Sequence, residues 1–232
     1  MNNMLLVSLF IAHVIGDFYL QNDTYCNQKE EKKLRSWFMY VHSVIMGALS
    51  WLLVPDLSFM AFAIFITVTH FFIDIAKSCL GKGLIGFVVD QLLHIGVLIL
   101  ISAMIGNEIA VPLQFLDFAE SFSIPLVLLT ILLCMKPANI IIKLTLERYK
   151  VGESASCTNM KNAGGLIGNL ERILTIIFVL IGHYEAIGFI VAAKSILRFK
   201  DTDTAKTEYV LAGTFLSFGI AILCGLMAGV KV

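Results

Sequence analysis

The chain has 232 residues, 58% of them hydrophobic and only 15% charged, and its mean hydropathy is +0.87. Water-soluble domains carry about 25% charged residues, so the composition excludes an ordinary soluble globule and points to the bilayer. The 17 basic residues balance 17 acidic ones, and with no basic tail or arm a nucleic-acid partner is not expected.

In chain order, apolar runs predict helices over residues 4–21, 37–54, 57–79, 84–105, 121–140, 165–182, 186–199 and 208–229. The fold class expected is all-α, a polytopic membrane protein of about eight transmembrane helices. Segment 186–199 is the short one. At ~1.5 Å per residue it reaches only ~21 Å, so it either re-enters or is prolonged by a polar end. Pro137 should kink a helix running on toward Tyr149. The N-terminal "MNNMLLVSLFIAHVIGDF" lacks a basic start and a small-residue cleavage site, and reads as a retained helix. Five scattered cysteines (Cys26, Cys79, Cys134, Cys157, Cys224) form no CxxC pair, so neither a disulfide framework nor a thiolate metal site is expected. Residues 1–106 read as a four-helix membrane unit and 107–232 as a second, glycine-rich unit. Together they would make one integrated membrane domain, with a cytoplasmic loop over 147–164.

Basic residues set the expected orientation. Lys29, Lys32, Lys33 and Arg35 lie between the first two segments, and Lys77 and Lys82 between the third and fourth. Lys136, Lys143, Arg148, Lys150 and Lys161 lie between the fifth and sixth, and Lys194, Arg198, Lys200 and Lys206 between the last two. Fifteen of the 17 Lys and Arg residues thus fall on one side. The expected protein sits in a bacterial inner membrane, multi-pass, with basic loops in the cytoplasm and its N-terminus outside.

The ionisable residues inside the apolar segments carry the chemistry. His13 and Asp17, His70 and Asp74, and Asp90 and His94 are each spaced i, i+4, which puts an imidazole and a carboxylate on one helix face. His42 joins them. Counting along the segments, all seven fall about 6–15 Å from the cytoplasmic boundary. Two stretches, His13-x3-Asp17 followed by His42 and His70-x3-Asp74 followed by His94, suggest a parallel repeat of two helical hairpins.

Imidazole nitrogen with carboxylate oxygen suits a divalent transition ion. Zn or Mn fits best, and the set is large enough for one or two ions held by His13, Asp17, His42, His70, Asp74, Asp90 and His94. The alternatives are helix-gluing hydrogen-bonded pairs and a proton or ion relay. Asp90 has no repeat counterpart and is the expected general base. Gln21 and Gln91 border the cluster and would orient ligands or substrate. Lys77, seven residues past His70, is expected to snorkel.

A second polar set is made of Glu171, Arg172, Lys194, Ser195 and Arg198. Its cations suit a phosphate or carboxylate group of a lipid or other anionic small molecule. The plainer reading is interfacial residues reaching for lipid headgroups. Glycines of the second half point to close helix packing and allow a homo-oligomer.

In order, "AHVIGDFYLQ", "VHS", "THFFIDIAK" and "DQLLH" make the first ~100 residues resemble a family of uncharacterised bacterial integral membrane proteins, a domain of unknown function. "AGGLIGNLERIL" and "IVAAKSILRFKD" look like what accompanies that domain in longer members. Looser is the similarity to membrane-bound metal-dependent hydrolases, which share His/Asp motifs on membrane helices. The function expected is a cytoplasm-facing, metal-dependent hydrolase of an amphipathic or anionic substrate. A transporter or channel for a divalent cation or an anion is the alternative. A non-catalytic membrane partner of a cytoplasmic signalling or defence protein is the third reading.

Overall fold

The structure, a computed structural model, describes residues 3–21, 36–80, 83–106, 108–116, 122–151, 161–198 and 204–229. Among these residues every regular element is helical. The helices are α1 (Asn3–Val14), α2 (Trp37–Leu53), α3 (Met60–Leu80), α4 (Leu84–Ile105), α5 (Ile124–Cys134), α6 (Lys136–Arg148), α7 (Lys161–Leu180), α8 (Tyr184–Arg198) and α9 (Thr204–Ala228). A π-helical turn, Ile15–Tyr19, continues α1, and 3-10 turns occupy Leu57–Phe59 and Pro112–Leu116.

A helix forms at each of the eight expected segments, and the all-α class holds. Four helices are long and apolar enough to cross a membrane: Leu57–Ser78, Leu84–Ile105, Ile124–Arg148 and Thr207–Ala228. That marks a membrane protein. Asn3–Tyr19 and Trp37–Leu53 are apolar but shorter; at 17 residues each they span ~26 Å, just under a ~30 Å hydrocarbon core. The fifth segment breaks at Met135, where φ is −90° and ψ −98°, two residues before Pro137. Proline lacks an N–H and crowds the preceding turn, so the helix must reset there. Asp56 starts the turn into α3 by accepting from the Ser58 backbone N–H at 2.8 Å and from the Ser58 hydroxyl. These bonds hold its carboxyl below the usual carboxylate range.

The chain divides into two compact units, Met1–Ala119 and Glu120–Lys231. In the first, α1 packs on α2 and α4, and α3 packs on the same two helices, closing a ring of four. One end of this ring is apolar: Leu5 and Leu9 of α1 cluster with Val54, Phe59, Ala63 and Ile66, and with Leu98, Ile101 and Ile105 of α4. Lipid tails are as apolar as leucine, so this surface alone does little to hold membrane helices together; close approach and polar bonds must do the rest. Close approach is visible at two glycines. A Cβ on Gly47 would lie 2.0 Å from Thr67 Oγ1 and 2.7 Å from the Ala63 carbonyl oxygen, and one on Gly16 would lie 2.1 Å from Met46 Sδ.

In the second unit α9 runs along α7 and also touches α5, α6 and α8. Its polar core is Arg172, only 1% exposed. The guanidinium donates to the Cys134 carbonyl at the α5–α6 break. It also donates to Ser217 Oγ on α9 at 2.8 Å, Asn139 Oδ1 on α6 at 2.5 Å and Asn169 Oδ1 on α7 at 2.6 Å.

Candidate metal centre

The four helices of the first unit each bring at least one imidazole or carboxylate to a common point. α1 brings His13 and its π turn Asp17, α2 brings His42, α3 brings His70 and Asp74, and α4 brings Asp90 and His94. Six of the seven are buried, and the Asp17 side chain is 9% exposed. The π turn is closed by the Leu20 N–H bonding the Ile15 carbonyl at 3.0 Å. Such turns take in one extra residue and rotate the side chains after it about the helix axis. Here the rotated residue is Asp17, and Gly16 beside it lets α1 come close enough to α2 for contact.

Asp17 is the hub. Its Oδ1 lies 3.0 Å from His42 Nε2 and 3.4 Å from His70 Nε2. The two imidazole nitrogens are 3.1 Å apart. The three donor atoms therefore make a nearly regular triangle. Its other carboxylate oxygen, Oδ2, accepts from Gln91 Nε2 at 3.2 Å and lies 3.7 Å from His13 Nε2. Three sets of donors stand within 4.8 Å of one another: His13, Asp17 and His94; Asp17, His42 and His70; His70, Asp74 and His94. Each set has the His/carboxylate chemistry and spacing that can hold a metal ion.

His94 has a defined tautomer. Its Nδ1 bonds the Asp90 backbone carbonyl at 2.9 Å, and a carbonyl only accepts, so Nδ1 carries the proton. Nε2 is then the lone-pair nitrogen of the neutral ring. It is buried, with no hydrogen-bond partner among the described residues. A metal-ligating histidine is held in the same way, with one nitrogen fixed by a carbonyl and the other left bare. Close by is a cavity of about 10 Å³, lined by His13, His70 and His94 together with Met46, Ser50, Ile66, Thr69 and Val97. That is about one water's worth of space.

Asp90 Oδ2 is held from two sides, by Lys77 Nζ at 2.6 Å and Gln91 Nε2 at 3.1 Å. Lys77 therefore does not snorkel: its side chain is 39% exposed, yet the ammonium turns inward, because a buried carboxylate attracts it more strongly than solvated headgroups do. Position 77, seven residues past His70 and three past Asp74, already put it on the cluster's face. That spacing was the signal for an inward role. Gln91 has a second task, since its Oε1 lies 3.3 Å from His13 Nε2. Gln21 sits just past the π turn, half-buried.

The other expected polar set lies in the second unit. Besides Arg172, Glu171 pairs with Lys194 at 2.7 Å, and the Ser195 hydroxyl bonds the Val191 carbonyl at 2.8 Å. The Arg198 side chain, residues 152–160 of the 147–164 loop and the basic stretch 29–35 lie outside the described residues.

A family model described as Protein of unknown function (DUF3307) matches residues 5–120. The chain belongs to that family. The match ends within a residue of the first compact unit's end at Ala119, so the family's shared part is the unit that carries the His/Asp centre. No curated protein and no solved structure matches the chain.

Proposed function

We propose that the first unit carries the metal centre of a membrane-embedded hydrolase, with a Zn or Mn ion held by Asp17, His42 and His70. The observation that carries this is the triangle of donors with edges of 3.0, 3.1 and 3.4 Å. An ion bound tetrahedrally at ~2.0–2.1 Å from its ligands spaces them about 3.3 Å apart, so the three atoms stand at near-ligand spacing before any ion arrives. Three protein ligands would leave a fourth position, and the water-sized cavity beside His70 and His94 supports an open one. In such a site the ion supplies Lewis acidity, bringing a bound water's pKa toward neutrality.

The remaining residues then have defined tasks. His94, with its bare Nε2, faces the centre as a further ligand or proton acceptor. Gln91, itself held by Asp90, fixes Asp17 from behind. The proposed substrate is amphipathic or anionic, reached from the cytoplasm, in a bacterial inner membrane whose basic loops face inward.

Elemental analysis of the purified protein tests the centre, and a panel of anionic ester substrates, assayed before and after chelation, tests the chemistry. Stoichiometric metal in the wild type and its loss in His42→Ala and His70→Ala are expected, with chelation abolishing hydrolysis. Metal retained in both variants would place the ion elsewhere. Metal present without hydrolysis of any substrate would remove the enzyme reading and leave a transport or structural centre.

A further inference from the structure

We infer that Gln91 is the positioning residue of the metal centre: its amide leaves Asp17 one oxygen for the ion and makes His13 a hydrogen-bond donor rather than a ligand. The inference rests on the metal reading above and adds which groups of the cluster meet the ion.

By distance His13 belongs to one of the three donor sets, and its i, i+4 spacing from Asp17 suggests a direct pair. The pair does not bond. His13 Nε2 and Asp17 Oδ2 stand 3.7 Å apart, beyond hydrogen-bond reach. The half-buried Gln91 of α4 bridges them instead. Its Oε1 is 3.3 Å from His13 Nε2, and its Nε2 is 3.2 Å from Asp17 Oδ2 and 3.1 Å from Asp90 Oδ2. Neighbours on a helix point in different directions, so α4 turns Asp90 to Lys77 of α3 and Gln91 to the end of α1.

The chemistry of the partners fixes which way this amide points. Lys77 Nζ sits 2.6 Å from Asp90 Oδ2, so that oxygen belongs to an ionised carboxylate and only accepts. Asp17, as a metal ligand, is a carboxylate too. An amide carries two N–H donors on one atom, and these match the two carboxylate oxygens. The flipped amide would set its own oxygen against both. Gln91 Oε1 therefore faces His13 and takes a proton donor there. His13 Nε2 then carries a proton whether the ring is neutral or charged, and a protonated nitrogen has no lone pair for an ion. The amide holds Asp17 by Oδ2, as ligating carboxylates are commonly held from behind. That leaves Oδ1, the oxygen beside His42 and His70, to meet the ion.

The test is zinc binding by the full-length protein in detergent or lipid discs, with stoichiometry from elemental analysis and affinity from competition with a chelator. At saturating zinc His13→Gln should hold as much metal as wild type, while His42→Gln and His70→Gln lose it. Gln91→Met keeps the side chain's length and removes its polar atoms. It should keep the wild-type stoichiometry and bind zinc about 10–100-fold more weakly. Nitrogen-15 NMR of the zinc-loaded wild type gives a readout that does not depend on a variant folding. The His13 Nε2 signal should keep its proton, and those of His42 and His70 should be proton-free and move on zinc addition. Loss of zinc from a folded His13→Gln, unchanged affinity in Gln91→Met, or a proton-free His13 Nε2 overturns the inference and leaves the metal centre standing. No zinc in the wild type removes the centre itself, and the inference with it.

Discussion

Asp17 and Arg172 show two ways of keeping a charged side chain inside a helical membrane unit. Asp17 gathers His42, His70, Gln91 and His13 around its two oxygens, and the result is a cluster with spare donor capacity. Arg172 instead directs its fork at neutral acceptors from α5, α6, α7 and α9. One of these, the Cys134 carbonyl, belongs to the helix break before Pro137, so the guanidinium stitches the place where the backbone is interrupted. A lysine has three N–H groups around one nitrogen and no planar fork, and it cannot reach four acceptors on four helices. Arg172→Lys should therefore strand at least one buried acceptor and lower stability by about 1–3 kcal/mol. Thermal unfolding in detergent would report it, and a melting temperature equal to wild type would show that Arg172 is not this junction.

At the level of elements, the first unit depends on how closely its helices approach. α2 and α3 meet at Gly47, where an added Cβ would press on the Ala63 backbone oxygen at 2.7 Å. α1 and α2 meet at Gly16, where the obstacle is the flexible Met46 side chain. Backbone cannot yield as a thioether does. Gly47→Ala is thus expected to cost about 1–3 kcal/mol and Gly16→Ala less, measured as melting temperatures of the two variants side by side. Equal losses would mean that the α2–α3 contact is not the tighter one. Gly16→Ala carries a second consequence, because Asp17 is the next residue on the π turn. Any shift there moves the hub oxygen away from His42, so this variant should lose metal affinity more than stability.

Across the whole molecule, the charge pattern makes a prediction that can be tested without any structure. Reporter fusions after Lys33, Gly81, Ser154 and Asp203 should all register cytoplasm, and those after Pro55 and Asn107 the outside, because basic residues are retained on the cytoplasmic face. A cysteine placed at Gln21, half-buried just past the π turn at the border of the cluster, should in turn be labelled from the cytoplasmic side only. Labelling from outside that depends on an ion or on membrane potential would favour alternating access and a transporter over a one-sided hydrolytic site.

The sequence by itself determined the helical class, the positions of the helices and the identity of the polar residues inside them. These arise from local rules: apolar runs, i, i+4 spacing and proline's missing N–H act within a few residues of chain. His70 and Asp74, or Asp90 and His94, were legible as pairs for that reason. Which partners they take was not legible. The contacts between Asp17 and His42, His42 and His70, and Lys77 and Asp90 join different helices, and they depend on helix rotation and depth that no local pattern encodes. The π turn at Ile15–Tyr19 was equally invisible, since it changes the register of Asp17 without changing its neighbours in sequence. Arg172 looked like an outward clamp because a cation near a helix end usually reaches for water or headgroups. Only packing decided that four neutral oxygens would surround it, and that Asp90, on another helix, would be the buried carboxylate Lys77 meets.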